Sequence, residues 1–269
     1  MQVSRSGYYS WQSRDKSKRQ QENEKLIPIV LEAHRYSKGT YGTRRMSGEI
    51  EARGSRCGRY RARTVMNLAG VTARQKRKFK VTTDSKHKLP VASNLIQRQF
   101  SAQDPNRLWV GDITYIWTSE GWLYLAVVLD LFSRQIVGWS MSNRINKKLV
   151  IDSLLMGIWR RNPGPGLIFH TDRGSQYCSN AFQKVLKTNK MLSSMSRKGD
   201  CWDNAVAESF FGSLKTERVF FNSYKTREDA KNDIFDYIEM YYNNKRRHSY
   251  LGNISPKEYE RLWKLKKAA

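Results

Sequence analysis

Three consecutive stretches, LWVGDITYIW (108–117), WLYLAVVLDL (122–131) and QIVGWSM (135–141), decide the fold. They are rich in β-branched and aromatic residues, which suit a pleated, half-buried surface. Turn signals at Ser119-Glu120-Gly121 and Ser133-Arg134 separate them. Links this short allow only antiparallel neighbours, because a parallel crossover needs a dozen residues or more. Beyond them the periodicity changes. Residues 147–161 read as a helix, NPGPG interrupts the chain, and a short apolar strand at 167–170 runs into Thr171-Asp172. A helix at 180–188, a short strand near 191–195 and a helix starting near Asp203 follow. The order βββαβαβα predicts an α/β domain, one sheet with helices on both faces.

Upstream, residues 21–37 read as a helix with Leu26, Ile27, Val30 and Leu31 on one side, starting at Pro28 or kinked there. Helices at 44–53 and 60–69 follow, ending at Gly54 and Gly70. Three short helices with Arg59, Arg61 and Arg63 at the head of the third fit a helix-turn-helix reader. A small helical bundle with a solvated basic face fits the same pattern. RQKRKFKVTTDSKHK (74–88) is basic and aperiodic, a linker suited to lie along phosphates through Arg74, Lys76, Arg77 and Lys78. The final segment reads as a helix over 226–242, with Ile234, Tyr237, Ile238 and Tyr241 on one stripe, then a polar turn and a short helix. The expected organisation is a helical region at 1–73, a basic linker at 74–100, a core at 101–225 and a helical tail at 226–269.

Charge narrows the partner. The 269 residues carry 49 Lys and Arg against 24 Asp and Glu, a net +25. Residues 1–100 hold +16 of it. A chain this basic takes a polyanion as partner. Its three cysteines are scattered, which excludes a disulfide framework, and none pairs with a histidine at zinc-site spacing. With no secretory stretch at the N-terminus and no apolar run long enough for a bilayer, the chain reads as cytosolic.

Carboxylates in apolar strands require a reason, since an unpaired buried charge is expensive. Asp112 lies inside the first strand and Asp172 just past the fourth, where strand ends of open sheets face a crevice. Glu208 lies in the helix containing CWDNAVAESFFGSLK. Each alone could be a turn or cap residue. Together they form an oxygen-only set, and carboxylates brought close repel unless a divalent cation neutralises them. Lys215 follows Glu208 by seven residues, two helical turns, and projects from the same face. Asn204, four residues before Glu208, shares that face. Val206, Phe210 and Leu214 are placed to hold the helix on the sheet.

WVGDITYIW, LDLFSRQIVGW, HTDRGSQY and GDCWDNAVAESFFGSLKTE resemble the catalytic core of retroviral-integrase-type transposases of bacterial insertion sequences. The likeness is to the downstream (orfB) product of two-frame elements. The 35 residues between Asp172 and Glu208 agree with the interval that names the DD35E group. VSRSGYYSW, YGTRRMSGEIEARG, NLIQRQFSAQDPNRLWVGD and the tail YNNKRRHSYLGNISPKEYE extend the resemblance over nearly the whole chain. Trp202 stands where the family more often has tyrosine. The resemblance implies a ribonuclease-H-like core with a mixed five-stranded sheet, preceded by a helix-turn-helix-like DNA-binding region. It implies Asp112, Asp172 and Glu208 as the ligands of two Mg²⁺ ions, with Mn²⁺ able to substitute. The implied reaction is hydrolysis at transposon ends to free a 3′-OH, then attack of that 3′-OH on target DNA. The implied partners are transposon-end and target DNA, further copies of the chain, and the upstream (orfA) product for end recognition and multimerisation. A transposase-derived DNA-binding regulator and a structure-specific nuclease of the same fold are the competing readings.

Other residues carry weaker expectations. Asp130 reads as a turn residue beside the site. His170 suits either a supporting role or the core, and Trp122 and Trp139 read as core aromatics rather than base-stacking platforms. Tyr242, Asn243, Arg247 and His248 are expected to pack the tail against the core.

Overall fold

The computed structural model describes residues 4–74, 90–96, 101–196 and 205–268. The chain divides into two compact units, Met1–Gln75 and Lys76–Ala269.

The first unit holds α1 (Arg5–Gln12), α2 (Lys18–Tyr36), α3 (Thr43–Ala52) and α4 (Arg59–Leu68). The second of these starts ten residues before Pro28 and continues through it. Its start is fixed by a capping box. Ser17 Oγ accepts from Gln20 N at 3.2 Å, and Gln20 Oε1 accepts from Ser17 N at 2.9 Å. Asn23, Leu26, Val30 and Ala33 bury one face of α2, whereas Leu31 points outward. Tyr41, Met46, Ile50, Cys57, Ala62 and Val65 complete this small core. The sequence pattern did not reveal α1, which buries no residue.

The second unit is built on a five-stranded sheet in the order β3-β2-β1-β4-β5. Its strands are β1 (Leu108–Thr118), β2 (Gly121–Asp130), β3 (Ile136–Ser142), β4 (Ile168–Thr171) and β5 (Leu192–Met195). The first three pair antiparallel, while β4 runs parallel to both β1 and β5. Between them run α5 (Lys147–Arg161) and α6 (Asn180–Thr188), with the bounds the sequence implied, and α7 (Ala205–Glu217) follows β5. Trp109, Ala126, Val128, Phe169, Leu149, Leu154 and Phe182 make the core under α5 and α6. Alternation sends Leu123, Leu125, Val127 and Leu129 to the other face, and they are wholly buried too. Apolar burial on both faces explains why β2 reads as an almost unbroken hydrophobic run. Gly138 lets α5 lie directly on β3: a β-carbon there would stand 2.1 Å from Ser153 O and 2.7 Å from Gly157 N.

Residues 90–96, expected to be part of the linker, lie along β5. Leu95 N donates to Ser194 Oγ at 2.9 Å and Met195 N to Ser93 O at 3.4 Å. This stretch is poor in charge, unlike 74–88. The C-terminal stripe is buried as expected, but the helix changes type midway. After α8 (Arg227–Phe235) the chain is π-helical over Asp236–Tyr242, and α9 (Pro256–Ala268) follows. The wider turn puts adjacent residues inward, so Tyr237, Ile238, Tyr241 and Tyr242 are all buried.

Three polar anchors hold the tail. Asn243 makes two 3.0 Å hydrogen bonds with the backbone of Ile136. Arg246 binds Glu217 at 2.8 Å. Glu260 takes Arg161 at 2.7 Å and Ser133 Oγ at 2.6 Å.

Candidate active site

The sheet positions the two aspartates. In the parallel ladder, Leu108 pairs with Ile168 and Val110 with His170. Two residues further along each chain come Asp112 and Asp172, so the register carries both carboxylates to one level of the sheet. Gly111 permits the approach: a β-carbon at that position would lie 2.8 Å from the Phe169 ring. Asp112 Oδ1 accepts from Ile113 N at 2.7 Å. Asp172 Oδ1 accepts from Gly174 N at 2.9 Å, and a β-carbon on Gly174 would meet that oxygen at 3.0 Å.

Glu208 lies in the first turn of α7, which packs on β1 and buries Ala207, Phe210, Phe211 and Leu214. Val206 is only half-buried. Lys215 lies in the last turn of the same helix.

The charges of the other three residues act on Asp112. Burial first, and then the Asp172 carboxylate, hold Asp112 well above the usual carboxylate range. Glu208 pushes the same way, while the Ile113 N–H and Lys215 pull back. Burial raises Glu208 and lowers Lys215, the latter partly offset by Asp112. Behind the aspartates, burial and then the charges of Asp112 and Asp172 raise the Tyr177 hydroxyl. Tyr177 escaped the sequence reading. Its only signal was its place in HTDRGSQY, five residues after Asp172.

An all-oxygen donor set in which two carboxylates raise the proton affinity of a third suits a hard divalent cation. Among the described residues, no three His, Cys, Asp or Glu side chains are yet gathered closely enough to hold an ion. Glu208 is supplied by a separate helix, α7.

The other singled-out residues divide. Asp130 is wholly buried away from solvent, accepting from Asn106 N at 2.8 Å, Phe132 N at 2.9 Å and Trp109 Nε1 at 3.3 Å. It organises the β2–β3 turn. His170 is a core histidine, 2.8 Å from Ser194 Oγ. Trp139 is half-buried and donates to Glu239 at 2.7 Å. Trp122, expected in the core, is exposed, because the tip of the β1–β2 hairpin extends beyond β4. In the first unit, Arg59 and Arg63 are exposed on α4, and Arg74 is exposed beyond it. Arg61 is drawn into the bundle, bonded to Glu22 at 2.8 Å and Asn23 at 2.9 Å. Lys76, Arg77, Lys78 and Asn204 lie outside the described residues.

An integrase core domain family matches residues 102–201, a second family of that description matches 208–262, and an HTH-like domain family matches 20–79. The fold is also that of a chain in the simian T-cell lymphotropic virus intasome complex with PP2A regulatory subunit B56 gamma. The TM-score is 0.50 at 16% identity, covering 86% of this chain and 73% of that one. Sheet, helices and family matches thus define an integrase core with an attached HTH-like region. Relatives narrow the class. The Escherichia coli K12 transposase InsF of insertion sequence IS3A is 45% identical over 97% of this chain and 91% of its own. A 31 kDa protein of insertion element IS600 from Shigella sonnei is 44% identical over 94% and 93%. The chain belongs to the same family of insertion-sequence transposases as InsF of IS3.

Proposed function

We propose that Asp112, Asp172 and Glu208 form the metal-binding triad of this transposase, cutting transposon ends and joining them to target DNA. The observation that carries this reading is the parallel register that sets Asp112 level with Asp172, with Glu208 electrostatically coupled to both strands' site through Asp112. Two Mg²⁺ ions, or Mn²⁺ in their place, would neutralise charge on the attacking and leaving oxygens of an in-line displacement. The aspartates hold fixed positions on the sheet, and Glu208 closes the set from α7. Lys215 offers a cation to a neighbouring phosphate. In the first step a water oxygen bonds to phosphorus while the 3′-oxygen leaves as a free hydroxyl. In the second, that hydroxyl attacks a target phosphodiester and releases a new 3′-OH. No side-chain nucleophile is needed.

DNA is held elsewhere as well. Arg59 and Arg63 on α4, Arg74 and the following Lys76, Arg77 and Lys78 are assigned to phosphates, with α4 as the groove-facing helix and Asn204 near the site. Arg61 positions α4 on α2. Multimers on DNA, an upstream orfA product as partner and a nucleoid-associated, cytoplasmic setting belong to the same reading. No helix among the described residues is long and apolar enough to cross a membrane.

The test is incubation with Mg²⁺ and labelled DNA bearing the element's ends. Nicking that leaves a 3′-OH, followed by joined product, is expected. Nicking without joining would favour a nuclease, and binding without either a regulator.

A further inference from the structure

The tip of the β1–β2 hairpin carries an aromatic cluster that neither the core nor the carboxylates use. Trp117 and Trp122 face each other in register, with ring centroids 4.8 Å apart and planes at 74°. Tyr115 meets Trp122 edge-on at 5.0 Å. Trp117 is 60% exposed and Trp122 43%. Large rings grouped at the surface mark a binding face more often than an accident of folding.

Alternation puts these rings on the sheet face opposite Asp112, so the two can meet only around an edge of β1. β4 pairs only with Leu108–Val110 of β1, so no strand covers that edge of β1 at Asp112 or beyond among the described residues. Lys215 bridges this edge: its charge reaches Asp112, and its Nζ lies 4.9 Å from the Tyr115 ring. A path therefore leads from the carboxylates through Lys215 and Tyr115 to Trp122 and Trp117. Along the strand, five residues from Asp112 to Trp117 span about 17 Å, the reach of several nucleotides.

The backbone beneath the rings is braced. Thr118 Oγ1 donates to Gly121 O at 2.7 Å and Ser119 N to Tyr224 O at 3.0 Å. Arg227 Nε donates to Trp122 O at 3.1 Å. These bonds fix the backbone that carries the rings before any ligand arrives, which lowers the entropic cost of binding.

We propose that Tyr115, Trp122 and Trp117 form a stacking platform for unpaired bases of the DNA strand entering the carboxylate site. Chemistry selects this occupant. A basic DNA-processing chain offers aromatic faces, and only unpaired bases expose π-surfaces to them, since a duplex presents its phosphates. The inference rests on the carboxylates being the reaction centre, but its test does not need them to work.

Binding is measured in EDTA with two DNAs, a blunt transposon-end duplex and the same duplex carrying a short single-stranded extension containing 2-aminopurine. The full chain is expected to prefer the extended DNA and to change the 2-aminopurine emission. The double variant W117L/W122L is expected to lose between about fivefold and a hundredfold in affinity for extended DNA, with blunt-duplex affinity and thermal melting unchanged. W117F/W122F, which keeps two π-faces, is expected to retain most of the preference. Unchanged binding of extended DNA by the Leu variant would overturn the proposal, as would equal weakening on both DNAs. Altered oligomeric mass with intact DNA binding would assign the rings to a protein interface and overturn it too. Failure of Asp112→Asn to block Mg²⁺-dependent cleavage would instead refute the triad, leaving the stacking result standing.

Discussion

The helical N-terminal unit and the sheet unit handle charge in opposite ways. In the first, some arginines are consumed by the fold and others stay exposed. Arg53 bonds Glu32 at 2.5 Å and Glu49 at 3.3 Å, Arg61 bonds Glu22, and Arg59 and Arg63 remain exposed. In the second, like charges gather around Asp112 inside β1, whose proton affinity is raised by burial and then by Asp172 and Glu208. Distributed charge tolerates loss, because each phosphate contact adds an increment. On the proposed reading concentrated charge does not, because one missing oxygen ligand would change the site's chemistry.

The largest expected effect follows from that contrast. Asp112→Asn, Asp172→Asn or Glu208→Gln should each reduce Mg²⁺-dependent nicking and joining by more than about a hundredfold. Retention of end DNA in gel shifts should barely change. Normal strand transfer by any of the three would remove that residue from the triad and erase the contrast.

A second substitution separates buried ion pairs from functional charge. Arg246 is buried against Glu217, and the Tyr237 hydroxyl donates to the same carboxylate at 2.8 Å. Glu217→Ala leaves a buried guanidinium without its counter-ion and should destabilise the sheet unit by about 3–5 kcal/mol. Thermal melting would register it, and an unchanged Tm would mean that the tail is not anchored through this pair.

How much of this contrast was legible in the sequence depends on whether it needed partners. The strands around Asp112 and the bounds of α5 and α6 followed from periodicity, since β-branched runs and amphipathic stripes declare themselves locally. Resemblance supplied the mixed sheet, and with it the triad proposed above. That Asp112 and Asp172 stand level was not readable, because it depends on which non-consecutive strands pair and in what register. The same limit hid Arg61's bond to Glu22, thirty-nine residues away. Hydrophobicity identified Trp122 as a strand residue, but not that its part of the hairpin lies beyond the neighbouring strand. The π-helical turn at Asp236–Tyr242 serves the packing of adjacent tyrosines, and a helical pattern gives no notice of it.

The distributed half of the comparison is sharpened by salt. If Arg59 and Arg63 each contact a phosphate, the double variant R59A/R63A should bind end DNA more weakly. Its log affinity should also fall less steeply with log salt, by about 0.9 per lost contact. Catalysis per bound complex should be unaffected. A slope equal to that of the unsubstituted protein would show that α4's exposed arginines do not touch phosphates.

The smallest effect is expected at Arg61, and it tests whether neighbouring arginines on one helix differ in kind. Its pair with Glu22 is partly exposed, which makes the ionic contribution small, while its bond to the buried Asn23 contributes more. Arg61→Ala should therefore destabilise the helical unit by roughly 1 kcal/mol. At a temperature where that unit stays folded, the salt slope for DNA should not change. Arg63→Ala should do the reverse, since its side chain lies on the exposed face of α4. If Arg61→Ala lowered the salt slope as Arg63→Ala does, Arg61 would leave Glu22 for phosphate on binding, and the division between structural and DNA-facing arginines would fall.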